Sequence, residues 1–186
     1  MYTSDSGTLV AVTARHLCER PLPEQVKRLA AAGFGTVILR EKDLSEYEYM
    51  KLAEQVKKAC EKCRITLAVH NFPECAEKLG TELLHMPLSG LNEELCRRFR
   101  CGASVHSLND AVKAVSLGAE YLVAGHIFAT DCKKVLPPRG LDFLREICCS
   151  VDVPVYAIGG ITPENAHSCV EAGASGVCVM SGAMKL

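Results

Sequence analysis

The sequence predicts an α/β fold of the (β/α)8 TIM-barrel class with a truncated final helix. Three observations carry this reading. Short runs rich in Val, Ile and Leu alternate with helical patterns along the chain. A glycine stands between most helical patterns and the run that follows. The alternation reaches eight units with no change of composition. Continuous apolar runs belong to strands buried on both faces, the condition of a parallel sheet covered by helices. Closing that sheet into a barrel removes the edges that an open doubly wound sheet would have to protect. At 186 residues the chain reads as one domain spanning 1–186.

The elements follow in order. A strand near Thr8 precedes a helix over Pro23–Ala32, which stops at Gly33 before a second strand near Thr36. The long charged helix Ser45–Lys62 leads to a strand near Ile65, and the short helix Pro73–Leu79 ends at Gly80 before a strand near Glu82. A helix over Asn92–Phe99 leads to strand five near Gly102. Ser107 opens the helix Leu108–Leu117, which stops at Gly118 before strand six near Tyr121. A helix over Leu141–Cys149 then leads to strand seven near Val153. Thr162-Pro163-Glu164 announces the helix Pro163–Glu171, and Gly173 ends it before strand eight near Gly176. Glycine recurs because it takes the left-handed position that ends a helix without steric cost. Ser, Thr and Pro mark the starts, as caps or first-turn residues. After strand eight only Ser181–Leu186 remains, too short for a covering helix of average length. Either a partner subunit covers that face, and a homodimer is expected, or the chain continues beyond it.

Composition narrows the function. A net charge of −1 gives no reason to expect nucleic acid or an anionic membrane as partner. No apolar run approaches the roughly 20 residues of a membrane span, and the N-terminus lacks the form of a secretory signal. A cytoplasmic enzyme is expected. The eleven cysteines are odd in number and irregular in spacing, which argues against a disulfide framework. Cys60-Glu-Lys-Cys63 lies at the end of a helix, where the dipole does not favour thiolate, and no second pair completes a zinc site. Reduced thiols are expected throughout.

Chemistry gathers where a barrel places it, at the carboxyl ends of the strands. His70, His85, His106 and His126 fall there, with Arg40, Glu41, Lys42 and Asp43 after strand two. Gly159-Gly160 follow strand seven and Ser181-Gly182 follow strand eight. Exposed backbone N–H groups in those two loops, with a helix starting at Thr162-Pro163, predict a phosphate site, the alternative being a tight strand-to-helix turn without a ligand. The segment Gly125-His126-Ile-Phe-Ala-Thr130-Asp131-Cys-Lys133-Lys134 puts one imidazole beside anion-binding groups. An imidazole with an ordinary pKa near 6.5 can take and return a proton at neutral pH. Arg40 and Lys42 either meet a phosphate or carboxylate, or pair with Glu41 and Asp43 at the surface. The histidines lack an H-x-H pair and a bridging carboxylate, so a metal hydrolase is disfavoured. No lysine sits on a strand end, so a Schiff-base aldolase is disfavoured too.

At Gly102-Ala-Ser-Val-His106-Ser107, Gly125–Lys134, Arg139-Gly140-Leu141, Ala157–Thr162 and Gly173–Gly182 the chain resembles the thiamine phosphate synthase superfamily. Within it the chain looks most like the TenI-type branch, the thiazole tautomerases. That resemblance implies metal-free, cofactor-free isomerisation of a carboxythiazoline ethyl phosphate to the aromatic carboxythiazole phosphate, with His126 as acid and base. It implies phosphate on Gly160 and Ser181. Arg40, Lys42, Lys133 and Lys134 would steady the carboxylate, while Ser104, His106, Gly159 and Met180 complete the contacts to a phosphorylated thiazole. The alternative the resemblance carries is the synthase itself, which transfers a pyrimidine from its diphosphate and holds Mg²⁺ on an Asp after strand three and another after strand four. Here those regions read Val69-His70-Asn71-Phe72 and His85-Met86-Pro87-Leu88-Ser89-Gly90, without a carboxylate. The synthase reading then needs Glu41, Asp43 and Asp131 to hold the metal. A non-catalytic thiamine-related binding protein is the remaining alternative.

Overall fold

The computed structural model describes residue 2 and residues 6–130 and 136–186. Eight parallel strands close into a barrel in chain order. They are β1 Thr8–Val12, β2 Thr36–Leu39, β3 Thr66–His70, β4 Leu83–Pro87, β5 Arg100–Val105, β6 Tyr121–Gly125, β7 Val155–Ile158 and β8 Gly176–Val179. The ring closes where Thr8 to Ala11 pair with Gly176 to Val179. The helices are α1 Leu22–Ala31, α2 Glu46–Cys63, α3 Pro73–Leu79, α4 Glu93–Arg98, α5 Leu108–Ser116, α6 Gly140–Ser150, α7 Ala166–Glu171 and α8 Ser181–Met184. Among the described residues no helix is long and apolar enough to cross a membrane.

Both faces of each strand are covered, which is why the strands read as continuous apolar runs. In β1, Val10 and Val12 join Ile38, Ala68, Val123 and Cys178 inside the barrel, while Leu9 and Ala11 pack in the layer beneath the helices. Toward the amino ends of the strands the interior is filled by Tyr121 and Tyr156, whose rings meet edge-on at 6.0 Å. Gly102, opposite Tyr121 in the β5–β6 ladder, makes room for that ring, since a β-carbon there would overlap it.

The glycine stops behave as expected: Gly33, Gly80, Gly118 and Gly173 all have positive φ. The Ser45 and Ser107 side chains accept from the Glu48 and Asp110 N–H groups. One start differs from expectation. Thr162-Pro163-Glu164 is a turn held by the Thr162 N–H donating to Asn165 Oδ1 at 2.9 Å, and α7 begins only at Ala166. The Thr162 carbonyl accepts the Asn165 and Ala166 N–H groups at 3.3 and 3.0 Å, so the segment makes one turn before the helix proper.

The short α8 is packed against its own chain. Gln25 of α1, fully buried, donates to the Ala183 carbonyl at 2.6 Å, and Ala183 and Met184 are buried. The ten described cysteines are free thiols, and burial pushes Cys60 up to about 12. Cys132 lies outside the described residues.

Tyr49 on α2 braces the catalytic end of the barrel. Its hydroxyl donates to the Leu39 carbonyl at 2.6 Å and accepts the His70 N–H at 3.0 Å, tying β2 to β3 in a fully buried position. Tyr49→Phe removes both partners at once and leaves two backbone groups unsatisfied. A loss of about 1–3 kcal/mol of unfolding free energy is expected in urea melts, with no change of slope.

Candidate active site

A cavity of about 920 Å³ opens at the carboxyl ends of the strands, within the range that holds small-molecule ligands. Its floor is apolar, formed by Ile38, Val123, Ile158 and Cys178. Its wall and rim carry the polar groups, and these are best taken strand by strand.

After β1, Thr13 organises the loop that follows β2. Its hydroxyl accepts the Arg40 N–H at 2.9 Å and donates to Glu41 Oε1 at 2.6 Å. Glu41 is 2% exposed and also accepts from the Arg15 N–H at 3.1 Å and from Arg15 Nη1 at 3.1 Å. The rest of the Arg15 guanidinium grips Asp43 through two bonds of 2.7 and 2.6 Å. Both carboxylates are therefore bonded to Arg15. Arg40 and Lys42 line the cavity. Neither Thr13 nor Arg15 was singled out from the sequence. Arg15 lies 26 residues from Glu41, and only the parallel pairing of β1 with β2 brings them together.

His70 ends β3, but His85 sits within β4, two residues before its end, so its ring points into the barrel interior. The two rings stack at 5.9 Å. His85 Nε2 lies 2.9 Å from Ser104 Oγ on β5, and its Nδ1 lies 3.2 Å from the Tyr121 hydroxyl on β6. Burial, and then the Arg40 and Lys42 charges, hold His70 down at about 4. Burial, and then His70 and Arg40, hold His85 down at about 3. Both imidazoles are neutral at pH 7, and neither is a proton donor there.

Stability acquires a pH dependence from this pair. Unfolded histidines titrate near 6.5, so below that value the unfolded chain binds protons that the folded chain refuses. The stabilisation present above pH 6.5 is lost progressively as pH falls through about 4 and about 3, with a slope approaching two protons only between 6.5 and about 4. Urea melts across that range check it, and His85→Asn flattens the slope by one proton.

His106 is exposed, with Nδ1–H donating to the Gly125 carbonyl at 2.6 Å, and it ties the ends of β5 and β6. His126 is 5% exposed and lines the cavity, with Nε2–H donating to the Leu136 carbonyl at 3.2 Å. Gly159 and Gly160 have positive φ. A β-carbon on Gly159 would overlap the His126 side chain, and one on Gly160 would overlap the Ala129 carbonyl. These glycines therefore let the loop after β6 lie against the turn after β7. The Gly160 N–H has no acceptor among the described residues. Met180 and Ser181 line the same cavity, so the structure brings together the loops after β7 and β8 as expected. The late start of α7 removes the helix dipole expected directly behind Gly160. Asp131, Lys133 and Lys134 lie outside the described residues.

A family model described as thiamine monophosphate synthase matches residues 9–183. A protein of Clostridium acetobutylicum named thiamine-phosphate synthase is 34% identical over 180 residues, covering 94% of this chain and 85% of that protein. Another of that name from Natronomonas pharaonis is 30% identical over 187 residues, covering 96% of this chain and 87% of its own length. The solved structure titled thiamine phosphate pyrophosphorylase, from Pyrococcus furiosus, superposes with a TM-score of 0.85 at 28% identity, covering 98% of this chain and 89% of that one. These findings correct the expected branch. Similarity across nearly the whole chain runs to proteins bearing the synthase name, which overturns the thiazole tautomerase and isomerase reading drawn from the Gly125–Lys134 motif and the absent carboxylates. The acid–base role given to His126 falls with that reaction, and the structure gives its Nε2 a binding partner in Leu136.

Proposed function

The chain belongs to the thiamine monophosphate synthase family, and from that premise we propose that it is a transferase of thiamine biosynthesis. It joins a pyrimidine, delivered as its diphosphate, to a thiazole phosphate. The observation that carries this reading is the 34% identity over 94% of the chain to a protein named thiamine-phosphate synthase. The cavity supports it by its size and by its polar rim on an apolar floor.

The reaction forms a C–N bond from the thiazole nitrogen to the pyrimidine's methylene carbon. The methylene C–O bond breaks, and its electron pair leaves with the diphosphate. No proton is transferred, which suits a site in which His70 and His85 are neutral. In this reading the Gly160 N–H and Ser181 hold the thiazole phosphate. Arg40 and Lys42, with Lys133 and Lys134, receive the diphosphate charge. Gly159, His106 and Met180 wall the ring site, and Ser104 lines the same cavity.

The resemblance also implies Mg²⁺, and the described donor set does not fit it. The positions after β3 and β4 offer the amide of Asn71 and the hydroxyl of Ser89. Glu41 is the one carboxylate among the described residues lining the cavity, and Arg15 and Thr13 occupy it. Among the described residues no group of three or more His, Cys, Asp or Glu is placed to hold a metal. Mg²⁺ sites are built from one or two carboxylates with substrate phosphates. No step is therefore routed through the metal.

A transferase must hold both substrates together. Calorimetric titration with thiazole phosphate, in the presence of saturating inorganic diphosphate, is expected to show an undiminished binding site. Mutual exclusion of the two ligands would contradict the proposal.

A further inference from the structure

The interior of the barrel holds a chain of side-chain bonds that the transfer reaction does not itself require: Tyr121, His85 and Ser104. Its direction can be worked out from hydrogen counting. A neutral imidazole donates through one ring nitrogen and accepts through the other. His85 is buried and neutral, with one nitrogen on the Tyr121 hydroxyl and the other on the Ser104 hydroxyl.

Two arrangements are possible. If Nδ1 carried the hydrogen and donated to Tyr121, the phenol's own hydrogen would have no acceptor among the described residues. Ser104 would then spend its hydrogen on Nε2. If the phenol donates to Nδ1, then Nε2–H donates to Ser104 Oγ and every hydrogen but one is placed. An unmade bond at a buried donor costs more than the choice between tautomers gains, so the second arrangement prevails. Burial also holds the Tyr121 phenol well above its ordinary value, which keeps its hydrogen in place. The one hydrogen left over belongs to Ser104, whose side chain lines the cavity.

We propose that Tyr121 and His85 are positioning residues that fix the Ser104 hydroxyl as a donor aimed into the cavity, toward a phosphate or diphosphate oxygen of the bound ligand. Without the relay a serine hydroxyl rotates freely and divides its hydrogen between His85 and the ligand. With it, the donor is set before binding, so no reorientation is needed when the ligand arrives. The packing of β5 and β6 supports the device. Gly102 on β5 admits the Tyr121 ring to the interior, and its hydroxyl reaches His85 from there. The ligand class rests on the transferase reading. The direction of the relay does not.

Two measurements test it separately. Long-range ¹H–¹⁵N correlation spectra of histidine-labelled, ligand-free protein report which nitrogen of His85 carries the hydrogen. The expected result is hydrogen on Nε2 alone. Hydrogen on Nδ1 overturns the proposal whatever the protein's reaction. Inorganic diphosphate binding is then measured for Tyr121→Phe, Ser104→Ala and the double variant. Tyr121→Phe is expected to weaken binding about five- to tenfold in the native background and to have no effect once Ser104 is Ala. An equal loss in both backgrounds would make Tyr121 a packing residue only and overturn the proposal. If diphosphate fails to bind the native protein, the transferase reading and the ligand class fall together, and the spectra still decide the relay.

Discussion

Arg40→Met is expected to lower kcat/KM for thiamine phosphate formation by about 10²–10³-fold, the range seen when one preorganised donor is removed from developing negative charge. Arg40 lines the cavity, where its charge can meet a ligand. Its neighbours Glu41 and Asp43 are held by Arg15, so its charge is not spent on them. The Thr13 hydroxyl fixes its backbone, and the side chain faces the cavity beside His70 and His85. In the proposed transfer the diphosphate leaving group gathers charge as the C–O bond breaks, and Arg40 would meet that charge on a wall floored by apolar side chains. Arg40→Lys is expected to recover part of the loss, because a point charge replaces a planar fork. Steady-state release of diphosphate checks both variants. A loss below about threefold for Arg40→Met would place its charge outside the reaction.

Gly160→Ala is expected to cost about 2–4 kcal/mol of stability, combining a left-handed backbone with a steric overlap. Gly160 has φ +66, and its β-carbon would meet the Ala129 carbonyl and Phe128. The loop cannot easily retreat, because the Ile127 and Phe128 N–H groups donate to the Ile158 and Gly159 carbonyls at 2.9 Å each. Opening that zipper also displaces the Gly160 N–H from the rim. Affinity for thiazole phosphate is expected to fall about 10-fold or more, the worth of a hydrogen bond to a charged group. Thermal melts and calorimetry read the two effects. Gly35→Ala, where φ is ordinary and nothing lies within 4 Å of the new carbon, serves as the near-neutral control.

Periodicity and punctuation carried most of the fold. Gly33, Gly80, Gly118 and Gly173 each end a helix and hand the chain to a strand, and that repetition is local chemistry visible in one dimension. The start of α7 was not legible, because the reach-back bond from the Thr162 N–H to Asn165 Oδ1 depends on turn geometry. The site was legible as a set of strand-end residues but not as a network. The commitment of Glu41 to Arg15 depends on strand pairing, and Tyr121 reads from the sequence as another apolar strand residue. Gly102 is the one local hint, a glycine inside a strand where a neighbouring ring needs space. The branch of the family was misjudged for a related reason. The tautomerase reading rested on the short Gly125–Lys134 motif and on the absence of a carboxylate after strands three and four, whereas the similarity that overturned it spans 94% of the chain.

The central claim is that this barrel joins two rings. The most direct measurement incubates the purified protein with the pyrimidine diphosphate and thiazole phosphate, with Mg²⁺ supplied, and follows both phosphorus-containing products by ³¹P NMR. The expected result is thiamine phosphate and free diphosphate rising together in equal amounts, with no diphosphate released when thiazole phosphate is omitted. Both substrates bound and no diphosphate released would contradict it.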